Sequence, residues 1–192
     1  MKAVAEAGGD MTKVNGDSIF PVLNMLNTKY FIFPLQGGQT VPVQNPYAYG
    51  NAWFVDKVTY ANNANEEIDE VGKLNLRHEA VADAKFKEQL GQSVPQDDTS
   101  MVKMIQYKPN NLTYEVKSSK GGVIVFSEIY YPGWTATVDG QPAELGRVNY
   151  ILRALNVKPG SHKVVLDFHP SSLKKTETVA YIGYVVLLLL LI

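Results

Sequence analysis

The stretch Val123 to Gly140, VIVFSEIYYPGWTATVDG, decides the fold. It opens on an apolar, β-branched run that reads as a strand, breaks at Pro132-Gly133, and resumes as Trp134–Val138 before Asp139-Gly140. Asp-Gly accepts the positive φ angles of a type I′ turn, so it marks a two-residue hairpin. The same alternation of strand and turn continues in both directions. Upstream, Met101–Lys108 stops at Pro109-Asn110-Asn111, and Leu112–Lys117 stops at Ser118-Ser119-Lys120-Gly121-Gly122. Downstream come the short Pro142–Leu145, then Val148–Leu155 before Pro159-Gly160, then His162–His169 ended by Pro170. Val164, Leu166 and Phe168 point to one face, and Asp167 and His169 to the other. About seven short strands at this spacing predict a jelly-roll-like antiparallel β-sandwich over residues 101–170.

Residues 18–100 read as a mixed α+β part. Ser18–Asn27 predicts a short helix with Ser18 as its cap, and Lys29–Phe33 a strand ending at Pro34. Ala52–Tyr60 predicts a second strand. Asn65 is placed to cap a helix carrying Glu66 and Glu67 in its first turn. Glu79–Ala82 reads as a short strand and Ala84–Leu90 as a helix ended by Gly91. Residues 1–17, with Gly8-Gly9 and polar neighbours, predict a loosely ordered start. The fold class is therefore mainly β, with an α+β N-terminal part.

The 192 residues carry 18 basic and 19 acidic side chains, a balance that excludes a strongly basic nucleic-acid binder. No cysteine is present, which removes thiol nucleophiles, zinc fingers and disulfide frameworks together. The terminal Val179–Ile192, VAYIGYVVLLLLLI, has no charge and no polar stripe at helical spacing. Tyr181 and Tyr184 stand at its start, where the aromatic belt of a membrane helix lies. It reads as a truncated transmembrane helix, and the chain as a piece of a larger membrane protein. A buried terminal element is the competing reading. Lys174 and Lys175 before the run weakly favour a cytoplasmic side there, though long domains translocate largely regardless of charge.

Chemistry is sparse. His162 and His169 fall on opposite faces of one predicted strand and cannot share a metal, and His78 stands apart. No phosphate-binding glycine loop and no serine elbow occurs, so no catalytic residue, metal ligand or cofactor site is nominated. The cluster Glu66, Glu67, Asp69, Glu70 reads as a solvated helix face. The distinctive group is Glu128, Tyr130, Tyr131 and Trp134. Aromatic faces stack on sugar C–H groups while a carboxylate accepts their hydroxyls, so these four are candidate glycan contacts. Rings around a turn equally plug the end of a sandwich. Glu128 shares a face with Ile124 and Phe126 and needs a cationic partner, for which Arg147, Arg153 or a lysine is available.

Several segments together carry a resemblance. Leu23-Asn24-Met25-Leu26-Asn27-Thr28-Lys29-Tyr30-Phe31-Ile32, Asn45-Pro46, Gly50-Asn51-Ala52-Trp53-Phe54-Val55, Ser127-Glu128, Tyr131-Pro132-Gly133-Trp134, Asp139-Gly140 and Pro159-Gly160-Ser161-His162 occur in this order. The set resembles the C-terminal portion of YfhO-like bacterial multi-pass membrane proteins, from about residue 20 onward. The resemblance implies a domain outside the cytoplasmic membrane, joined to a final membrane helix of a glycosyltransferase-like protein that uses lipid-linked sugars. The catalytic acidic residues of such enzymes lie in loops near their first membrane helices, so none is carried over to this sequence. The expected role is that of an extracytoplasmic accessory domain, contacting an envelope glycan or bracing the membrane part. A purely structural or protein-interaction domain is the alternative, and a free-standing hydrolase a third.

Overall fold

The computed structural model of the protein describes Glu6, Asp10 and residues 13–34 and 37–190, with backbone alone at Asp17 and 171–175. The expected loose start, residues 1–17, falls mostly outside the described residues. Two short helices, α1 (Gly16–Ile19) and α2 (Pro21–Met25), stand where one helix was expected. Pro21 has no N–H to continue the first helix and instead opens the second. Ser18 is no cap: it lies inside α1, and its hydroxyl donates to the Asn15 carbonyl at 3.1 Å. The hairpin β1 (Tyr30–Pro34) and β2 (Thr40–Gln44) follows, and Phe31 packs with Val14 and Phe20 in a small core of its own.

The expected second strand is two strands in different sheets. β3 (Ala52–Val55) pairs antiparallel with the later strand β8 (Gly122–Ile129), whereas β4 (Lys57–Ala61) pairs parallel with β5 (Glu79–Asp83). Asp56 makes the switch, with the N–H groups of Asp56 and Lys57 both donating to the His78 carbonyl. Between β4 and β5 runs α3 (Ala64–Val71), capped by Asn63, whose side chain accepts from the Glu66 N–H. The expected cap, Asn65, sits within the first turn. A 3-10 turn at Ala84–Phe86 leads into α4 (Lys87–Leu90), closed at Gly91 with φ 69°.

The acidic face expected to be solvated is not uniformly so. Glu67 is fully buried, and its carboxylate accepts from Arg147 Nη2 at 2.6 Å and from the Tyr150 N–H at 2.9 Å. Burial lifts this carboxyl above the ordinary range, while Arg147 and the Tyr150 N–H work against the rise.

From Met101 the strands follow the expected order: β6 (Met101–Lys108), β7 (Asn111–Ser118), β8, β9 (Trp134–Val138), β10 (Gln141–Ala143), β11 (Gly146–Val148), β12 (Leu152–Val157) and β13 (Gly160–Phe168). Asp139 and Gly140 adopt φ 53° and 81° in the expected two-residue hairpin. The strand expected over Val148–Leu155 is broken by a turn in which Asn149 and Tyr150 take φ 50° and 72°. No glycine marks this turn. It is held from outside, by Asn149 pairing with the backbone of Val81 and by Glu67 on the Tyr150 N–H.

These strands form a five-stranded sheet, β10-β9-β13-β7-β6, and a four-stranded sheet, β11-β12-β8-β3. Leu112, Tyr114, Val116, Val164 and Leu166 of the first meet Ile124, Phe126, Leu155 and Val157 of the second, which makes the sandwich. The four-stranded sheet is covered on its other face as well. There Trp53, Val55, Val123 and Val125 pack on Val58, Val71, Val81 and Leu90 of the α+β layer. Residues Gly122–Phe126 are accordingly buried without alternation. The division expected at residue 100 thus crosses a sheet, since β3 from the earlier part completes it.

The chain continues into α5 (Ser171–Leu190), exposed at every described side chain from Thr176 onward. The segment expected as a truncated transmembrane helix, 179–192, is helical through Leu190, with its last two residues outside the described ones. Among the described residues no helix is long and apolar enough to cross a membrane.

Candidate functional site

The four candidate glycan contacts sit at the end of the sandwich where β8 passes into β9. Pairing slips between Leu152 and Arg153 of β12: Leu152 faces Ile129, yet Arg153 faces Phe126, so Ser127 and Glu128 bulge out of β8. The bulge frees Ser127 to donate to the carbonyls of Met25 and Gly50, at 2.9 and 2.6 Å. Glu128 is left within reach of Arg153, whose Nη2 donates to it at 3.0 Å. Of the three cationic partners the sequence offered, Arg153 is the one used, and Arg147 is committed to Glu67.

The turn that follows is pinned to the last strand. Gly133 takes φ 103°, and a Cβ there would lie 2.9 Å from the Pro170 Cα, so only glycine fits without displacement. Its carbonyl accepts from the His169 N–H at 2.7 Å, and Trp134 pairs with Phe168 across β9 and β13. The loop carrying Tyr131 therefore lies against the residues from which α5 starts.

The rings divide in role. Tyr130 is half-buried and meets Phe86 edge-on, with centroids 5.6 Å apart. Trp134 carries the Arg153 guanidinium over its ring at 4.0 Å and Phe168 beside it at 5.2 Å. Tyr131 is 61% exposed and presents the freest ring. All three line an open cleft of about 530 Å³, together with Gln89, Glu144 and Arg153. Glu128 does not line it and acts only through Arg153.

Arg153 is the residue the sequence reading underused. Its side chain is 1% exposed, with Nε and Nη1 lacking any hydrogen-bond partner among the described residues. Burial pulls the guanidinium below its ordinary basicity, and Glu128 opposes that shift. Burial first, and the Glu128 charge second, push the neighbouring Tyr114 hydroxyl up. The signal was available: Arg153 alternates with Leu155 and Val157 on the inward face of β12.

A larger open cleft, about 720 Å³, lies where the edges of β3 and β6 approach, and nothing in the sequence pointed to it. It is lined by Trp53, Asp56, Arg77, His78, Asp97 and Lys103 among others. Asp56 accepts from the Gln96 N–H at 2.7 Å and meets His78 Nδ1 at 2.8 Å. Burial acts to raise the Asp56 carboxyl, but these partners leave it below the ordinary range. The Ser119 hydroxyl, with Thr99, brings Asp97 down to about 2.

Glu128 and the pair Asp139–His162 stand at opposite ends of β9 and do not converge as an acid and a base. Among the described residues, no group of histidines and carboxylates has the geometry to hold a metal ion.

No curated protein and no solved structure matches the chain significantly. A family of bacterial membrane proteins, YfhO, matches residues 22–179, from α2 through the sandwich into α5. That match takes in both sheets, the aromatic cleft and most of the order of segments quoted from the sequence. The chain belongs to the YfhO family of bacterial membrane proteins.

Proposed function

We propose that this chain is an extracytoplasmic accessory domain of a glycosyltransferase-like membrane protein, which holds an envelope glycan in the cleft below Tyr131. One observation carries the reading: an exposed tyrosine ring shares an open cleft with an amide, Gln89, and a carboxylate, Glu144. That combination offers a stacking face for sugar C–H groups and acceptors for hydroxyls. The extracytoplasmic side and the lipid-linked sugar chemistry of the parent protein come from the family resemblance, and α5 is the attachment to the membrane. No transfer step is assigned to residues of this chain.

A titration of the chain with envelope oligosaccharides, followed by NMR shifts, tests the glycan reading. Shifts centred on Tyr131, Gln89 and Glu144, with binding weakened about fivefold by Tyr131→Ala, support it. Shifts confined to the β3–β6 cleft around Arg77 and His78, or none at all, overturn it.

The second reading, a structural or protein-interaction domain without glycan contact, is favoured by one feature. Tyr130 and Trp134 are engaged by Phe86, Arg153 and Phe168 and act in part as packing.

A further inference from the structure

The two ends of the sandwich differ in kind. At one end lie the turns after β7, β9 and β12, with exposed Ser119, Lys120, Asp139 and Lys158 and, as a large exposed apolar residue, Met101. At the other lie the end of β6, the β8–β9 loop and the β11–β12 turn. The large exposed side chains here include Tyr107 (68%), Ile129 (61%), Tyr131 (61%) and Tyr150 (37%), with the polar Lys108, Asn110 and His169 among them. Strand register places these on one end: Tyr107 faces Leu112, Ile129 faces Leu152, and Trp134 faces Phe168. Turns at the ends of a sandwich normally meet water and carry polar residues. Exposed tyrosines and an isoleucine on these turns offer apolar surface to a partner.

The chain itself indicates the partner, because α5 leaves the sandwich from this same end. Phe168 and Pro170 are in contact with the Tyr131–Trp134 loop, and the helix then runs through Tyr181 and Tyr184 into Val185–Leu190, all exposed. The helix that carries this apolar surface begins directly after the residues packed on the sandwich end. Tyrosine and tryptophan are the residues enriched where a bilayer meets water, and a lysine stem reaches outward from the same depth.

We propose that this end of the sandwich, with Tyr107 and Ile129 at its surface, rests on the lipid bilayer surface, while Tyr131 stays at the mouth of the cleft. The proposal rests on the attachment through α5 given above. It orients the domain: the sandwich stands on its aromatic end, the turns of Lys120 and Lys158 point away from the membrane, and the cleft below Tyr131 opens at the level of the lipid headgroups.

Because the chain has no cysteine, single-cysteine variants report position directly. Tyr107→Cys, Ile129→Cys, Lys120→Cys and Lys158→Cys, all at exposed sites, are made in the full chain and labelled with a polarity-sensitive fluorophore. They are then mixed with phosphatidylethanolamine–phosphatidylglycerol vesicles containing brominated lipid. The expected result is a blue shift and loss of emission at positions 107 and 129, and neither at 120 and 158. A vesicle-bound chain whose labels at 107 and 129 stay unquenched, or quench no more than those at 120 and 158, overturns the orientation alone. A chain that does not associate with the vesicles overturns the attachment through α5, and the orientation with it.

Discussion

Trp134 lies as a lid on Arg153: the guanidinium carbon sits 4.0 Å from the ring centroid while Glu128 takes one of its N–H groups from the side. The ion pair is thereby closed off from water at its most buried member, and each of the three residues depends on the other two.

Removing one partner of this set should cost more than removing the pair. Glu128→Gln leaves a buried guanidinium without its counter-charge and is expected to lower stability by about 2 kcal/mol. The double variant Glu128→Leu with Arg153→Met should lie close to the original protein. Urea unfolding measures both, and a double variant less stable than Glu128→Gln would refute this account of the pair.

Trp134→Ala is expected to destabilise by about 2 kcal/mol through lost packing on Phe168 and Arg153, with Trp134→Phe restoring most of it. Tyr131→Ala, at an exposed ring, should leave the midpoint nearly unchanged. Equal losses at the two positions would show that Tyr131 is structural too.

Glu67 holds α3 to the β11–β12 turn. Glu67→Gln is expected to cost about 3 kcal/mol, because Arg147 then keeps a partly buried charge without its anion. The Asn149–Tyr150 turn should loosen with it, which hydrogen exchange of the Tyr150 amide detects. An unchanged exchange rate there would count against the link.

Helix α3 offers a test of its start. Asn63→Ala should cost about 1 kcal/mol through loss of the cap, while Asn65→Ala should be neutral or slightly favourable. The reverse order in thermal unfolding would place the helix start two residues later.

Both ring nitrogens of His162 face oxygens, Nδ1 the Asp139 carboxylate at 2.7 Å and Nε2 the Lys158 carbonyl at 3.1 Å, a setting that favours the imidazolium. The Asp139 contact, chiefly, raises its pKa above the ordinary 6.5. Its contribution to stability is therefore full below 6.5 and fades as the pH climbs through the raised value. The Asp139 carboxyl is lowered by the same contact, so its share is present above 3.8 and lost as the pH falls through the depressed value. Stability from this pair is greatest between about 3.8 and 6.5, and His162→Ala should flatten that part of the profile. An NMR titration placing the His162 pKa below 6.5 would reverse the sign.

Much of the fold was legible because its markers are local. The span Trp134–Val138, the Asp139-Gly140 hairpin and the Gly91 helix end each follow from two or three adjacent residues. What escaped depends on distant partners. Glu67 looks like one more surface acid until Arg147, 80 residues further on, arrives beside it. The Asn149–Tyr150 turn has no glycine and takes its shape from Val81 and Glu67. The break at Asp56 hides inside an unbroken strand-like run, because which sheet each half joins is decided by β8 and β5. At the candidate site the aromatic residues were readable as a group, and the register slip that sets Glu128 beside Arg153 was not.

The antiparallel pairing of Trp53 with Val125 and of Phe54 with Ile124 has a kinetic consequence. The four-stranded sheet cannot close until a long intervening segment has been brought round, and such non-local closure slows folding. During synthesis it is β3 that waits, with Trp53 and Val55 unpaired until β8 emerges, a risk for aggregation. Once β3 is seated, the early and late parts of the chain are stapled together. A cut within the Asp97–Ser100 loop should leave both fragments bound to each other as one particle.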